Sequence, residues 1–241
     1  MNHGIIIIPT YNEIENIESI IRAVLSLQKP FHILIVDDNS PDGTAKKVAE
    51  LQDEFSGRLF LKIRTKKSGL GTAYVHGFKW ALKHDYSYIF EMDADFSHNP
   101  NDLEKLYNAC HLHNNDVAIG SRYVTGVNVV NWPLSRVLLS YFASVYVRMI
   151  TGMQIHDATA GFMCYRREVL EKINLDRIKF VGYAFQIEMK YRSFCKNFKL
   201  YEVPIIFTDR AQGESKMSGA IIKEAIFGVI SLRIKKLFNR L

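Results

Sequence analysis

The sequence predicts an α/β fold built on a mostly parallel sheet, and three observations carry that reading. Short apolar runs of strand length alternate with segments of helical spacing through the first half of the chain. Each run stops abruptly at polar or charged residues. The chain has 241 residues, enough to bury a core without disulfides or metal staples. In order, residues 4–8 form an apolar run ended by Pro9, and 14–27 show helical spacing. Residues 32–36 are a second strand, stopped by Asp37, Asp38, Asn39, Ser40 and Pro41. Pro41 suits a first helical position behind Ser40 as N-cap, which predicts a helix over 42–54. Strands at 59–63, 86–92 and 117–120 then alternate with helices at 72–83 and 103–112.

Composition excludes several classes. An apolar fraction of 48% rules out disorder, and 14 glycines with 6 prolines rule out a collagen-like or linker-dominated chain. Cys110, Cys164 and Cys195 are odd in number and far apart, which argues against a disulfide framework or zinc site and fits a reducing compartment. The N-terminal apolar stretch is too short for a secretory signal, and the charge-free stretch 137–147 is too short to span a bilayer. The net charge is +6, and residues 216–241 alone carry six basic side chains against Glu224. Such a tail points to an anionic surface.

Ligands on sheets of this type sit at the carboxyl ends of the strands, so the residues that follow each strand matter most. The first is followed by Pro9, Thr10, Tyr11, Asn12 and Glu13, and the second by Asp37 and Asp38. The fourth is followed by Asp93, Ala94 and Asp95, and the fifth by Ser121, Arg122 and Tyr123. Four polar tips at one sheet edge point to a site. There is no GxGxxG after the first strand, no P-loop and no GxSxG elbow. Gly69-Leu70-Gly71 either lines up amides towards a phosphate or makes an ordinary turn into a helix. Asp93 and Asp95 place two hard oxygen donors on one side of a tight turn, suited to Mg²⁺ or Mn²⁺ completed by phosphate oxygens. The competing role for Asp95 or Ser97 is to cap the helix beyond Pro100. His98, beside the acidic turn, is the histidine to watch.

The segments PTYNE (9–13), VDDNSPDGT (36–44), GLGTA (69–73), MDADFSHNP (92–100) and GSRY (120–123) together resemble a family-2 glycosyltransferase. DATAGF (157–162), GYAFQIEM (182–189) and DRAQGESKMS (209–218) narrow the resemblance to the dolichyl-phosphate mannosyltransferase group. It implies a GT-A fold, Rossmann-like around the nucleotide sugar, and inversion at the anomeric carbon. It further implies that Pro9, Tyr11, Glu13, Val36 and Asp38 hold the nucleoside, and that Asp93, Ala94 and Asp95 meet the metal and diphosphate. Arg122, Arg210 and Lys216 would meet phosphates. Ser97 stands where relatives often carry a glutamine metal ligand, and is shorter and weaker in that role. The family includes members with C-terminal membrane-spanning helices. No such stretch precedes Leu241, which leaves open a separate membrane-spanning anchor protein as partner.

The second half suits an anionic lipid acceptor. Residues 117–156 contain no Asp or Glu but do contain Arg122, Arg136 and Arg148. Arg136 and Ser140, four apart, share a helix face and can fork a phosphate, with Trp132, Leu134, Tyr141 and Phe142 around them. The competing reading is a buried helix whose arginines pair with distant acids. Ile230, Ile234, Leu237 and Leu241 with flanking Arg233, Lys236 and Arg240 describe a basic amphipathic helix, lying at a membrane surface or packed on the core. Nucleic acid is disfavoured because no recognition motif accompanies the charge.

An ionised lipid phosphate needs orientation rather than a general base, so Arg122, Arg136, Ser140 and Arg210 are expected to steer it, with Asp157 as the rival base. The expectation is a GT-A domain over 1–215 with a membrane-surface segment over 216–241, peripheral on the cytoplasmic face. Its reaction is transfer of mannose from GDP-mannose to a polyprenyl phosphate. The alternatives are a glucosyltransferase using UDP-glucose and a non-catalytic nucleotide- or lipid-binding subunit of a membrane complex.

Overall fold

The computed structural model describes residues 3–182, 184–209 and 219–238, with side chains from 226 onward in the last stretch. The first half runs β1 (Gly4–Thr10), α1 (Ile17–Leu25), β2 (His32–Asp37), α2 (Thr44–Glu54), β3 (Leu59–Ile63), α3 (Leu70–Ala81), β4 (Tyr88–Glu91), α4 (Asp102–His111) and β5 (Val117–Ser121). The second half adds β6 (Val129–Val130), α5 (Leu134–Thr151), β7 (Met163–Arg166), α6 (Arg167–Lys172), α7 (Ala184–Cys195), β8 (Leu200–Pro204), β9 (Phe207–Thr208) and α8 (Gly219–Leu237). The main sheet has the order β3-β2-β1-β4-β7-β5-β8, and β6 with β9 makes a separate small ribbon.

The apolar strands are continuous rather than alternating because both sheet faces are covered. Ile5 and Ile7 of β1 pack with Leu34, Tyr74 and Phe78 on one face, while Ile6 and Ile8 pack with Ile33, Ile20 and Leu103 on the other. Gly77 lets α3 lie flat on the sheet, since a Cβ there would stand 2.5 Å from Ile7 Cγ2. Strand order reverses between β1 and β4, which opens a crevice at their carboxyl ends.

One helix boundary differs from the sequence expectation, and two further features lie beyond it. The helix expected from residue 42 begins at Thr44, behind Gly43 at φ 92°. Ser40 does not cap it, because its hydroxyl donates to Asp37 Oδ2 at 2.7 Å and accepts the Asn12 amide at 3.0 Å. Strand β7 is antiparallel to β4 and β5, pairing Met163 with both Glu91 and Ile119. Its entry carries residues 157–162 across the tips of β4 and β5. Helix α7 is buried from Ala184 to Ser193 despite its polar sequence. Arg192 neutralises Glu188 one turn away at 2.7 Å, and the Lys179 and Phe180 amides donate to the same carboxylate.

Helix α8 buries Val229 and Leu232 in the core, and Tyr146 of α5 donates its hydroxyl to the Ile226 carbonyl at 2.9 Å. The other side of α8 leaves Phe227, Ile230, Ile234 and Leu237 exposed, and α5 likewise exposes Leu134, Leu138 and Phe142. Among the described residues, no helix is long and apolar enough to cross a membrane.

Candidate active site

The turn after β1 is tied to the turn after β2 by backbone amides. Asn12, Glu13 and Ile14 donate to Ser40 Oγ, Thr44 Oγ1 and Asp42 Oδ2 at 3.0, 3.0 and 3.1 Å. Asp37 is spent on this scaffold, accepting from Thr10 Oγ1 at 2.8 Å and from the Ser40 amide at 2.8 Å. Asn12 and Asn39 both take left-handed φ values, 60° and 57°, which asparagine tolerates well. Asp38 meets Arg64 through two hydrogen bonds of 2.5 and 2.8 Å, and Arg64 also donates to Thr72 Oγ1 at 2.7 Å. Lys67 Nζ lies 4.1 Å from the centre of the Tyr11 ring. Tyr11, Glu13 and Asp38 thus share one corner of the sheet edge, while Pro9 is half-buried and the Val36 side chain is fully buried beneath them.

At the tip of β4 the acidic turn is held from several sides. The Ser97 amide and hydroxyl both donate to Asp95 Oδ1, at 3.1 and 2.6 Å. These bonds fix the carboxylate and support Phe96 at φ 59°, an uncommon conformation for a bulky residue. Ala94 is buried between the two acids. The Asp93 amide donates to His98 Nδ1 at 3.1 Å, which puts that ring's proton on Nε2. Burial pushes His98 down to about 4, so it is neutral near pH 7, and it stacks on Phe162 at 4.7 Å. Beneath the turn, Glu91 accepts from Tyr165 Oη at 2.9 Å and from Gln186 Nε2, and Lys190 Nζ donates to the Ala160 carbonyl at 2.5 Å. Burial raises Glu91 and lowers Lys190.

The distant acids that Arg122 and Arg136 require are present. Arg122 donates to Asp157 through Nε at 2.7 Å, Nη2 at 2.6 Å and its amide at 3.0 Å, and to Thr159 Oγ1 at 2.8 Å. Burial alone would raise the Asp157 carboxyl, but the charge and hydrogen bonds of Arg122 hold it below the usual range. Glu202 braces the same segment, accepting from Ser121 Oγ at 2.7 Å and the Asp157 amide at 2.8 Å. Arg136 donates from Nη1 to both Asp209 oxygens, at 2.9 and 2.8 Å, and lies over the Trp132 ring at 4.1 Å. Arg210 and Lys216 lie outside the described residues.

One cavity of about 380 Å³ joins the tip of β4 to the tip of β5 and to α5. It is lined by Asp93, Asp95, Ser97, Arg122, Arg136 and Ser140 together with the apolar Leu139, Phe142, Tyr146 and Ile226. Gly69-Leu70-Gly71 does not serve it as a phosphate loop: the Gly71 amide donates to the Val181 carbonyl at 2.9 Å, and Val181 packs against Gly69 at φ 96°. Among the described residues, no group of three or more His, Cys, Asp or Glu side chains converges on a metal position. Two carboxylates beside room for a diphosphate fit Mg²⁺ or Mn²⁺, ions that usually take few protein ligands and complete their shells with water and phosphate. Arg64, Asp209 and Thr159 were not singled out from the sequence. The strand-tip rule applied to β3 finds Arg64, and Thr159 and Asp209 sit in the DATAGF and DRAQGESKMS blocks.

The profile of glycosyl transferase family 2 matches residues 5–174. A polyprenol monophosphomannose synthase of Mycolicibacterium smegmatis is 48% identical over 236 residues, covering 98% of this chain and 89% of that protein. An undecaprenyl-phosphate mannosyltransferase of Micrococcus luteus is 43% identical over 223 residues, covering 92% and 90%. Among solved structures, glucosyl-3-phosphoglycerate synthase of Mycobacterium tuberculosis, in complex with Mn²⁺, UDP and glucosyl-3-phosphoglycerate, matches with a TM-score of 0.67 at 16% identity, covering 98% of this chain and 80% of that one. The same enzyme with Mg²⁺ and UDP gives 0.64 at 17% identity, covering 99% and 79%. These structures show the GT-A fold.

Proposed function

Since the chain belongs to glycosyl transferase family 2, we propose that it transfers mannose from GDP-mannose to the phosphate of a polyprenyl lipid, as its two named mannosyl-transferring relatives suggest. The observation that carries this reading is a cavity lined by paired aspartates, two arginines and an apolar wall. A diphosphate leaving group, an anionic nucleophile and a hydrocarbon tail each find matching chemistry there.

In this reading the nucleoside lies at the corner formed by Pro9, Tyr11, Glu13, the β2 tip after Val36, and Asp38, with Ala94 flooring the diphosphate. Asp93 and Asp95, backed by Ser97, hold a divalent cation. When bound, the cation neutralises the diphosphate and eases its departure. Arg122, Arg136 and Ser140 orient the acceptor phosphate, joined by Arg210, while Lys216 meets the donor phosphates. A phosphate oxygen forms the new bond to C1 of the sugar as the C1–oxygen bond to the diphosphate breaks on the opposite face, so the anomeric centre inverts. The lipid phosphate is already ionised near neutral pH and has no proton to surrender. Asp157 supports this base-free course, because both its oxygens are committed to Arg122. An entering phosphate competes with Asp209 for Arg136.

The exposed apolar faces of α5 and α8, with Lys235 and Lys236 alongside, support peripheral attachment to an anionic membrane on its cytoplasmic side. Residues 216–241 would then be the membrane-surface segment of the catalytic domain over 1–215, with or without a separate membrane-spanning anchor. The test is incubation of purified protein and Mn²⁺ with undecaprenyl phosphate and either labelled GDP-mannose or labelled UDP-glucose. Label from GDP-mannose is expected in the organic phase. Label from UDP-glucose alone overturns the sugar assignment, and label retained in water with both donors overturns the transferase reading.

A further inference from the structure

We propose that Trp132 is an acceptor-binding residue, its indole N–H donating to a phosphate oxygen held between Arg122 and Arg136. The inference rests on the reading of this cavity as the acceptor site. The indole ring lies 4.1 Å from the Arg136 guanidinium carbon and 5.3 Å from that of Arg122, and it meets Phe207 edge-on at 5.3 Å. Two like charges are thus gathered around one electron-rich ring, which attracts both. Asp157 and Asp209 pair with the arginines and leave the indole unserved.

Trp132 Nε1 is buried and makes no hydrogen bond within the described residues, whereas Ser140 Oγ has the Tyr123 hydroxyl within reach. Both residues line the cavity, as do both arginines. A buried polar atom without a partner costs free energy, so the indole N–H beside two guanidinium groups marks a place built for an incoming oxygen-rich group. An indole N–H can only donate, which selects an acceptor oxygen such as those of phosphate. The apolar wall of Leu139 and Phe142 in the same cavity suits a phosphate borne on hydrocarbon.

The chain has two tryptophans, and Trp80 stacks on His84 in α3, so Trp80→Phe leaves Trp132 as the only tryptophan emitter. Titrating this variant with undecaprenyl phosphate in detergent micelles should give a saturable change in emission, which undecaprenol in the same micelles does not produce. Trp132→Phe, which keeps a ring and removes the N–H, should raise the KM for undecaprenyl phosphate about tenfold, as expected for one hydrogen bond to a charged group, and leave the KM for the nucleotide sugar unchanged. Emission unmoved by a lipid phosphate that is still glycosylated overturns the contact and leaves the function standing. A protein that neither responds to undecaprenyl phosphate nor glycosylates it overturns the functional reading and the contact with it. A Trp132→Phe enzyme with both KM values raised alike reduces Trp132 to a structural role and also overturns the proposal.

Discussion

Asp157 is fully buried, and its two oxygens accept three hydrogen bonds from Arg122. Asparagine at this position keeps one acceptor oxygen but turns an amide donor towards a guanidinium donor. Asp157→Asn should therefore cost about 3 kcal/mol of stability, measured by urea unfolding, because it leaves a buried arginine uncompensated. The pH dependence carries a second signature. The Asp157 carboxyl lies below its ordinary value in the fold, so its contribution is complete above the usual Asp range and disappears as pH falls through the lower, folded value. The variant should lack that acid-side loss. Turnover separates positioning from base chemistry: the residual activity of Asp157→Asn should keep the wild-type pH profile. Loss of the acidic limb of the profile would instead make Asp157 the base.

The elements differ in how plainly the sequence announces them. Strands β1 and β2 are legible because continuous isoleucine and valine runs suit a sheet covered on both faces, and the tips that follow them collect the polar residues of the site. Strand β7 is not, since the four residues MCYR carry no mark of direction. Helix α7 hides its burial because Glu188 and Arg192 cancel within one turn, and polar spacing alone reads as solvent-facing. The acid partners of Arg122 and Arg136 stand 35 and 73 residues away, a pairing that only the folded chain reveals. Helix α8 shows a third case, apolar on two sides: Val229 and Leu232 enter the core, while Phe227 at 70% and Ile234 at 48% remain exposed. Replacing Phe227 and Ile234 together by serine should weaken binding to anionic vesicles by about a hundredfold or more, since burying such side chains fully contributes roughly 1.5–3 kcal/mol each and about 1.4 kcal/mol is tenfold. Thermal stability should barely change, because neither side chain is in the core. Vesicle binding equal to wild type would move the membrane contact away from α8.

At the scale of the whole molecule, the sheet edge gathers groups of opposite charge into one cavity, and this dictates how ligands depend on each other. The β4 tip lines that cavity with Asp93 and Asp95, whereas α5 and the β5 tip line it with Arg136 and Arg122. A diphosphate brought beside Asp93 and Asp95 meets repulsion that a divalent cation relieves, so nucleotide and cation should strengthen each other by the same factor. Calorimetric titration of GDP with and without Mn²⁺ should show tighter binding with the ion, by about tenfold or more. Titration of Mn²⁺ with and without GDP should return the same ratio. Asp95→Asn should bring that ratio close to one, because the variant removes a negative charge and a hard ligand at once. Arg136→Ala should leave the ratio intact, since Arg136 pairs with Asp209 on the proposed acceptor side of the cavity. GDP binding of equal strength with and without Mn²⁺ would contradict a cation-assisted leaving group, and an Arg136→Ala protein that lost the coupling would show that donor and acceptor sides are not separable.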